Sequence, residues 1–109
     1  MDDRVVRFGI ILESTRQQRI METQMPEICR FLGIVIYMLY DDHRPPHFHA
    51  EYGEYRIAVD INSGVVEGKF PRRALNAVFE WYGIYREQLL EDWRLAERHA
   101  QLKKIPPLE

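Results

Sequence analysis

The chain has 109 residues, a formal net charge of -2 at pH 7 and hydrophobic residues at 46% of its positions. This length suits one domain, and the apolar content excludes a chain that is disordered throughout. The weakly acidic balance argues against a protein that coats nucleic acid through bulk positive charge. Because Cys29 is the single cysteine, an intramolecular disulfide and a cysteine-rich zinc cage are excluded.

The N-terminal residues 1–24 differ in composition from the rest of the chain. Residues 4–12 can form a short strand, but residues 13–24 are almost entirely polar. We expect residues 1–24 to be an extension that is mobile or loosely docked, and residues 25–109 to form a single α+β domain. There is no secretory leader pattern at the start, and the longest strongly apolar run is about half the length of a membrane-spanning helix. We therefore expect a cytoplasmic protein that does not associate with a membrane.

Residues 29–40 are nearly continuous in their hydrophobicity, which is typical of a strand covered on both faces. Gly33 predicts a break or a bulge in this strand. Pro45 and Pro46 then exclude a helix, because they fix φ, so residues 41–46 are expected to form an extended connector.

A hairpin is predicted around Gly53 and Glu54. Residues 48–52 and 55–61 both alternate as strands do, and a glycine in the first central position suits a two-residue type II′ turn. This turn sets a register in which His47 faces Asp60, and in which one face of the hairpin is apolar and the other polar. The polar face carries His47, His49, Glu51, Arg56, Ala58 and Asp60.

A long helix is predicted to follow a second turn and a short strand from residue 65 to about residue 69. Pro71 predicts its start, because the fixed φ of proline suits the first helical position. Apolar residues recur at helical spacing as far as about His99. Gly83 is a weak point that can kink this helix.

The elements together predict an α+β fold, in which a small antiparallel sheet of three to four strands packs on one long C-terminal helix. Trp81 and Ile84 lie off the main apolar stripe of the helix and predict a second apolar edge that faces a partner or a second copy. Residues 103–109 are expected to form an extended tail.

A metal site is one interpretation of the polar face. Alternate strand positions point the same way, so His47, His49 and Glu51 can converge on one ion. Imidazoles and carboxylates are ordinary ligands of zinc, iron and manganese. His43 joins them only if the chain folds back. The alternative is a solvated polar face, so the cofactor is either none or a divalent transition metal.

Acid–base chemistry without a metal is a second interpretation. If His47 faces Asp60, the carboxylate holds the imidazole as a general base. His49 is then the conjugate acid, and Arg56 stabilises the charge that develops on a phosphorane, with Tyr37 or Tyr40 nearby. Metal-independent cleavage of RNA uses such a set of groups. The alternative is an ordinary salt bridge between neighbouring strands.

Three basic residues surround the predicted start of the long helix: Lys69, Arg72 and Arg73. Positive side chains oppose the helix dipole there, and such a conflict is consistent with a bound anion, because the free N–H groups of a helix start also favour phosphate. The alternative is that these residues serve solubility alone.

Two signatures give the chain a resemblance to a known family. DHRPPHFHAEY, at residues 42–52, fits the pattern DHxPPHFHAEY, and GKFPRRAL, at residues 68–75, fits GxxPxRAL. Through them residues 25–108 resemble an uncharacterised bacterial family catalogued as domain of unknown function forty-one sixty. The positions that match are His43, Pro45, Pro46, His47, Phe48, His49, Ala50 and Glu51, with Pro71, Arg73, Ala74 and Leu75.

The resemblance implies no settled activity or cofactor. Members of the family are small bacterial proteins that are often encoded beside another small uncharacterised protein. This gene arrangement looks like a toxin–antitoxin module. We therefore expect the product of a neighbouring gene as a partner, with RNA and a second copy of this chain as further candidates. The leading prediction is a component of such a module whose histidine-bearing face binds or cleaves RNA. A non-enzymatic protein-binding module and a metal-dependent enzyme or sensor stay open, and so does the question whether the protein is an enzyme.

Overall fold

The computed structural model describes residues 25–40 and 42–109, and within them it contains a five-stranded antiparallel sheet and one C-terminal helix. The α+β class is therefore confirmed. The strands follow one another in the sheet in chain order. They are β1 (Glu27–Phe31), β2 (Ile34–Tyr37), β3 (His47–Tyr52), β4 (Tyr55–Asp60) and β5 (Val66–Lys69), and the helix is α1 (Arg72–Glu97). The predicted strand at residues 4–12 and the extension at residues 1–24 lie outside the described residues.

The prediction of three to four strands was too low because residues 29–40 form two strands rather than one. Phe31 of β1 pairs with Ile34 of β2, so the chain reverses at Leu32 and Gly33. Both turn residues have left-handed backbone conformations, with φ of 52° and 79°. Leucine is unusual there, and the Asn-Gly or Asp-Gly signature of such a turn is missing from the sequence.

The predicted register of the central hairpin is confirmed. His47 pairs with Asp60, Glu51 pairs with Arg56, and the turn glycine has a φ of 59°. Because side chains alternate along a strand, this register places Phe48 and its neighbours on the face that the helix covers. The histidines lie on the other face.

The helix packs its aromatic side chains on the apolar face of the sheet. The rings of Phe48 and Trp81 lie 5.8 Å apart, and both residues are fully buried. Trp81 is therefore a core residue, although the sequence places it on a second apolar edge. Ile84 is exposed. The break in helical geometry lies at Tyr85, with φ −113° and ψ 26°, two residues beyond the predicted weak point at Gly83.

The C-terminal residues form a segment that covers the outer edge of β1. The Ile105 N–H donates to the Ile28 carbonyl at 2.9 Å, and the indole Nε1 of Trp81 donates to the Pro106 carbonyl at 2.8 Å. This segment satisfies backbone groups that would otherwise form an open sheet edge. The predicted tail is extended, but it is docked on the sheet and the helix.

A buried carboxylate anchors this segment to the helix. Asp92 is 1% exposed, and its Oδ1 accepts a hydrogen bond from the backbone N–H of Lys103 at 2.9 Å. Its Oδ2 is buried without a hydrogen-bond partner among the described residues. Burial raises the pKa of Asp92 to about 6, although the Lys103 N–H opposes this effect. Compared with the unfolded chain, the folded protein therefore favours the neutral form of Asp92.

We predict that Asp92→Asn removes a pH dependence of stability. Because the pKa is raised on folding, the contribution of Asp92 is fully present at low pH and is lost as the pH rises through about 6. Relative to Asp92→Asn, the free energy of unfolding of the wild type should fall by roughly 2 kcal/mol between about pH 4 and about pH 7. Urea unfolding of both proteins at the two pH values measures this difference, and parallel pH profiles would contradict it.

Two glycines should respond in opposite ways to alanine. Gly68 in β5 has φ 107°, and an added Cβ would lie 2.4 Å from the carbonyl oxygen of Arg56, whereas Gly83 has nothing within 4 Å of such an atom. Gly68→Ala should therefore destabilise the protein by about 2 kcal/mol or more. Gly83→Ala should stabilise it by about 0.5 to 1 kcal/mol, because alanine is the better helix former. Thermal or urea unfolding of both variants checks the pair, and equal effects would refute this account of β5.

Candidate metal centre

His47 and His49 are buried in β3, with 6% and 8% of their surfaces exposed. Their side chains lie on one face of the sheet, with ring centroids 4.9 Å apart. The ring of Tyr37 stacks on His49 at 5.1 Å and 12°, and the ring of Trp93 from the helix lies 5.1 Å from His47. The histidine part of this face is therefore packed rather than solvated.

The connector before β3 bends and brings Asp42 to the histidines. Residues 44–46 form a bend instead of the expected extended run, and the Arg44 backbone N–H donates to Asp42 Oδ1 at 3.1 Å. As a result, Asp42 Oδ2 lies 2.9 Å from His47 Nε2. His43 is exposed and is not a member of the cluster.

The hydrogen bonds of His47 determine which ring nitrogen is free. Nδ1 lies 2.9 Å from the Pro45 carbonyl oxygen, which can only accept, so Nδ1 carries the hydrogen. Nε2 lies 2.9 Å from Asp42 Oδ2, which can only accept, and 3.0 Å from Arg44 Nη2, which can only donate. A protonated Nε2 therefore donates to Asp42, whereas the lone pair of the neutral ring accepts from Arg44 or binds a metal.

The Nε2 atom of His49 is buried and has no hydrogen-bond partner among the described residues. Burial is the main reason that the pKa of His49 is lowered to about 4, and the positive charge of Arg44 adds to this effect. The imidazole is therefore neutral at pH 7. A buried polar nitrogen without a partner is costly in a folded protein, and such an atom requires an explanation.

Asp42 supplies a negative charge to the same place. Hydrogen bonds from Arg44 are the main reason that the pKa of Asp42 is lowered to about 2, so its carboxylate is ionised at pH 7. One ligand atom from each of Asp42, His47 and His49 lies within 4.8 Å of the other two. The 2.9 Å between Oδ2 and Nε2 suits two ligands that meet at roughly 90° on an ion about 2.1 Å from each.

Glu51, the carboxylate predicted to join the histidines, has other partners. Its Oε2 accepts a hydrogen bond from the Tyr37 hydroxyl at 2.9 Å and forms an ion pair with Arg56 Nε at 3.0 Å. Burial, and then the neighbouring Glu51, raises the pKa of Tyr37. These contacts hold the Tyr37 ring against His49. The structure therefore places Glu51 and Arg56 in the support of the histidine, and it places Asp42 where the sequence interpretation put Glu51.

Asp60 is opposite His47 in the sheet, but its carboxylate is directed to the following turn. Oδ1 accepts from the backbone N–H groups of Asn62 and Ser63 at 2.9 and 2.8 Å, and the Ser63 bond is the main reason that the pKa of Asp60 is lowered. Asp60 and His47 nevertheless line one cavity of about 250 Å³, together with Arg44.

The three predicted anion-binding residues lie at the junction of β5 and the helix. Lys69 ends β5, and the exposed side chains of Arg72 and Arg73 lie in the first turn of the helix. Pro71, predicted to be the first helical residue, is the N-cap just before it, with an extended ψ of 144°. They do not line the cavity beside His47. The basic cluster is therefore separate from the group formed by Asp42, His47 and His49.

Asp42, a member of this group, and Arg44, which contacts two of its members, were missing from the sequence prediction. Both belong to the DHRPPH stretch, so their proximity to His47 along the chain was visible. What the sequence did not reveal is the bend that turns a carboxylate five positions upstream back onto the imidazole. A Pro-Pro pair indicates extended backbone, and it gives no direction for the chain before it.

The family model described as Domain of unknown function (DUF4160) matches residues 33–94, which is more than half of the chain. The protein therefore belongs to this family, as its signatures indicated. The match covers β2 to β5, the candidate metal centre and most of the helix. No curated protein and no solved structure matches the chain. Among the described residues, no helix is both long enough and apolar enough to cross a membrane.

Proposed function

We propose that the protein binds a divalent transition-metal ion through Asp42, His47 and His49. The observation that carries this proposal is the Nε2 atom of His49, which is buried without a hydrogen-bond partner among the described residues. An imidazole nitrogen in this position gains a partner when a metal binds. One ligand atom each from His47 and Asp42 lies within 4.8 Å of a ligand atom of His49, which gives a set of three ligands.

The ionisation states of the ligands favour metal binding near neutral pH. Metal ligands must be deprotonated, and the lowered pKa values of Asp42 and His49 keep both groups in the required form. The Pro45 carbonyl holds the Nδ1 hydrogen of His47 and leaves Nε2 as the ligand. Metal-binding histidines commonly donate the N–H of their other ring nitrogen to a backbone carbonyl, as His47 does here.

The donor set indicates which metals fit. Two imidazole nitrogens and one carboxylate suit zinc, iron, manganese and related ions, whereas calcium and magnesium prefer oxygen ligands. Three protein ligands also leave coordination positions for water or a small molecule. The cavity of about 250 Å³ beside His47 provides space for such a molecule. These features support a metal-dependent enzyme or a metal sensor rather than a purely structural ion.

Metal binding explains the histidines better than metal-free cleavage of RNA. A general acid must carry a proton at working pH, and a buried His49 with a pKa of about 4 does not. The Asp60 carboxylate, assigned to orient His47, accepts hydrogen bonds from the next turn instead. Membership of a toxin–antitoxin-like module, RNA as a ligand and a neighbouring gene's product as a partner stay predictions, and each is compatible with a bound metal.

We expect His49→Phe to weaken zinc binding at least tenfold, which is about 1.4 kcal/mol. Phenylalanine can keep the stack on Tyr37 but offers no ligand atom. The matched control is Glu51→Gln, which removes the predicted carboxylate but keeps a side-chain oxygen that can accept from the Tyr37 hydroxyl, so the stack on His49 is retained. It should bind zinc within about threefold of the wild type. Isothermal titration calorimetry of protein without a histidine tag measures all three affinities.

Zinc should also stabilise the wild type against unfolding. At a free zinc concentration a hundred times the Kd, the expected gain is about 2.7 kcal/mol, which appears as a rise in Tm. The proposal fails if the wild type neither retains a transition metal through purification nor shifts its Tm with zinc, manganese or nickel. It also fails if Glu51→Gln loses the metal while His49→Phe keeps it.

A further inference from the structure

We propose that Arg44 plugs the metal centre when no metal is bound and has to leave before an ion can bind. This inference rests on the metal site proposed above and concerns its regulation. It makes Arg44 a residue that determines which ions enter the site.

The guanidinium of Arg44 occupies the position that a cation would take between Asp42 and His47. Its Nη2 lies 3.1 Å from Asp42 Oδ2 and 3.0 Å from His47 Nε2, and those two ligand atoms are 2.9 Å apart. Its Nε donates to the other carboxylate oxygen, Oδ1, at 3.2 Å. Arginine therefore binds the carboxylate through two nitrogens and donates to the imidazole as well, as a charged surrogate for an ion.

A metal ion and this arrangement of Arg44 exclude each other. The Nδ1 hydrogen of His47 is committed to the Pro45 carbonyl, so Nε2 has one lone pair to give. In the neutral ring that lone pair faces Arg44 Nη2 at 3.0 Å, and a metal needs the same lone pair. Asp42 Oδ2 likewise accepts from Arg44 Nη2 at 3.1 Å and is the proposed metal ligand. Binding of an ion is thus an exchange of one cation for another.

Arg44 has a route out of the site. Its side chain is 54% exposed, so it can move without disturbing the core. Its Nη1 is already 3.9 Å from Oε1 of Glu67, and both residues line the cavity beside His47. Withdrawal of the guanidinium toward Glu67 uncovers Nε2 and Oδ2 and keeps the positive charge next to a carboxylate.

The exchange discriminates between ions. Zinc and nickel gain strongly from imidazole nitrogens and can displace the guanidinium. Magnesium and calcium gain little from nitrogen ligands and hold their water or oxygen ligands. Arg44 therefore makes binding less favourable for every cation, because each must displace the guanidinium. Only cations that bind both histidines strongly can do so. Abundant hard cations are kept out without any change in the ligand set.

The test compares Arg44→Gln with the wild type and with Arg30→Gln. A further variant, Arg30→Gln, is the matched control, because Arg30 is also an exposed arginine paired with a glutamate, but it contacts neither the three proposed ligands nor their neighbours. Zinc titration by calorimetry should give a Kd at least tenfold lower in Arg44→Gln. Arg30→Gln should change it less than about threefold. Millimolar magnesium should not compete with zinc in the wild type.

A second measurement on the wild type follows the guanidinium directly. In protein labelled with ¹⁵N-arginine, zinc should shift the Nε–H signal of Arg44 and speed its exchange with water, because the bond to Asp42 Oδ1 is released. The Nε–H of Arg30, which donates to Glu27 at 3.1 Å, should not change. This measurement needs no substitution, so it holds even if Arg44→Gln folds poorly.

The outcomes separate the plug from the metal site. If zinc binds the wild type and Arg44→Gln equally and the Arg44 signal does not move, the plug is wrong and the metal site stands. Equal tightening in Arg44→Gln and Arg30→Gln would mean that only the net charge matters, which also overturns the proposed role of Arg44. If zinc binds none of the three proteins, the proposed function and this inference are both wrong.

Discussion

The hydrogen bond between His47 Nδ1 and the carbonyl of Pro45, at 2.9 Å, is the contact on which the candidate centre depends. It fixes the ring so that Nε2 is directed at Asp42, and it closes the bend that returns the connector to the sheet. Without this bond the Nε2 lone pair would not be assigned to one position. The Asp42 carboxylate and the Arg44 guanidinium both lie next to Nε2, which is also the atom that we propose binds the ion.

The two faces of the sheet differ: one forms the hydrophobic core, and the other carries the histidines proposed to bind metal. One face packs Phe48 against Trp81 and the rest of the core, which supplies most of the apolar burial. The other face holds two imidazoles under Tyr37 and Trp93, where burial withdraws them from water. The helix contributes to both regions, because Trp81 packs on Phe48 and Trp93 lies 5.1 Å from His47. A rigid, closed surrounding of this kind keeps ligands in position with little freedom.

The parts of the fold that follow local rules could be predicted from the sequence. A glycine at the first turn position and two strands that agree on their polar side determine the register of β3 and β4, and Pro71 marks the start of the helix. The hairpin of β1 and β2 was missed because Leu32 takes a left-handed conformation that leucine rarely adopts. No pattern of side chains signals a backbone that only the surrounding sheet enforces.

The centre was predictable in part, for a related reason. Alternation along β3 brings His47 and His49 together, and this is local. Which carboxylate lies beside the histidines is not decided locally. Tyr37 and Arg56 bind the carboxylate of Glu51. The bend of the connector brings Asp42 to His47 instead. The burial of the histidines likewise comes from Tyr37 and Trp93, which are far from them along the chain. Contacts between distant segments decide which polar groups become ligands.

The central claim is that three named atoms bind one ion. A crystal structure of the zinc-loaded protein, with the ion located by its anomalous scattering, tests it most directly. The account predicts an ion about 2.1 Å from Nε2 of His47, Nε2 of His49 and a carboxylate oxygen of Asp42, with the guanidinium of Arg44 withdrawn toward Glu67. Zinc bound through Glu51, or bound elsewhere while His49 Nε2 stays without a partner, would contradict it.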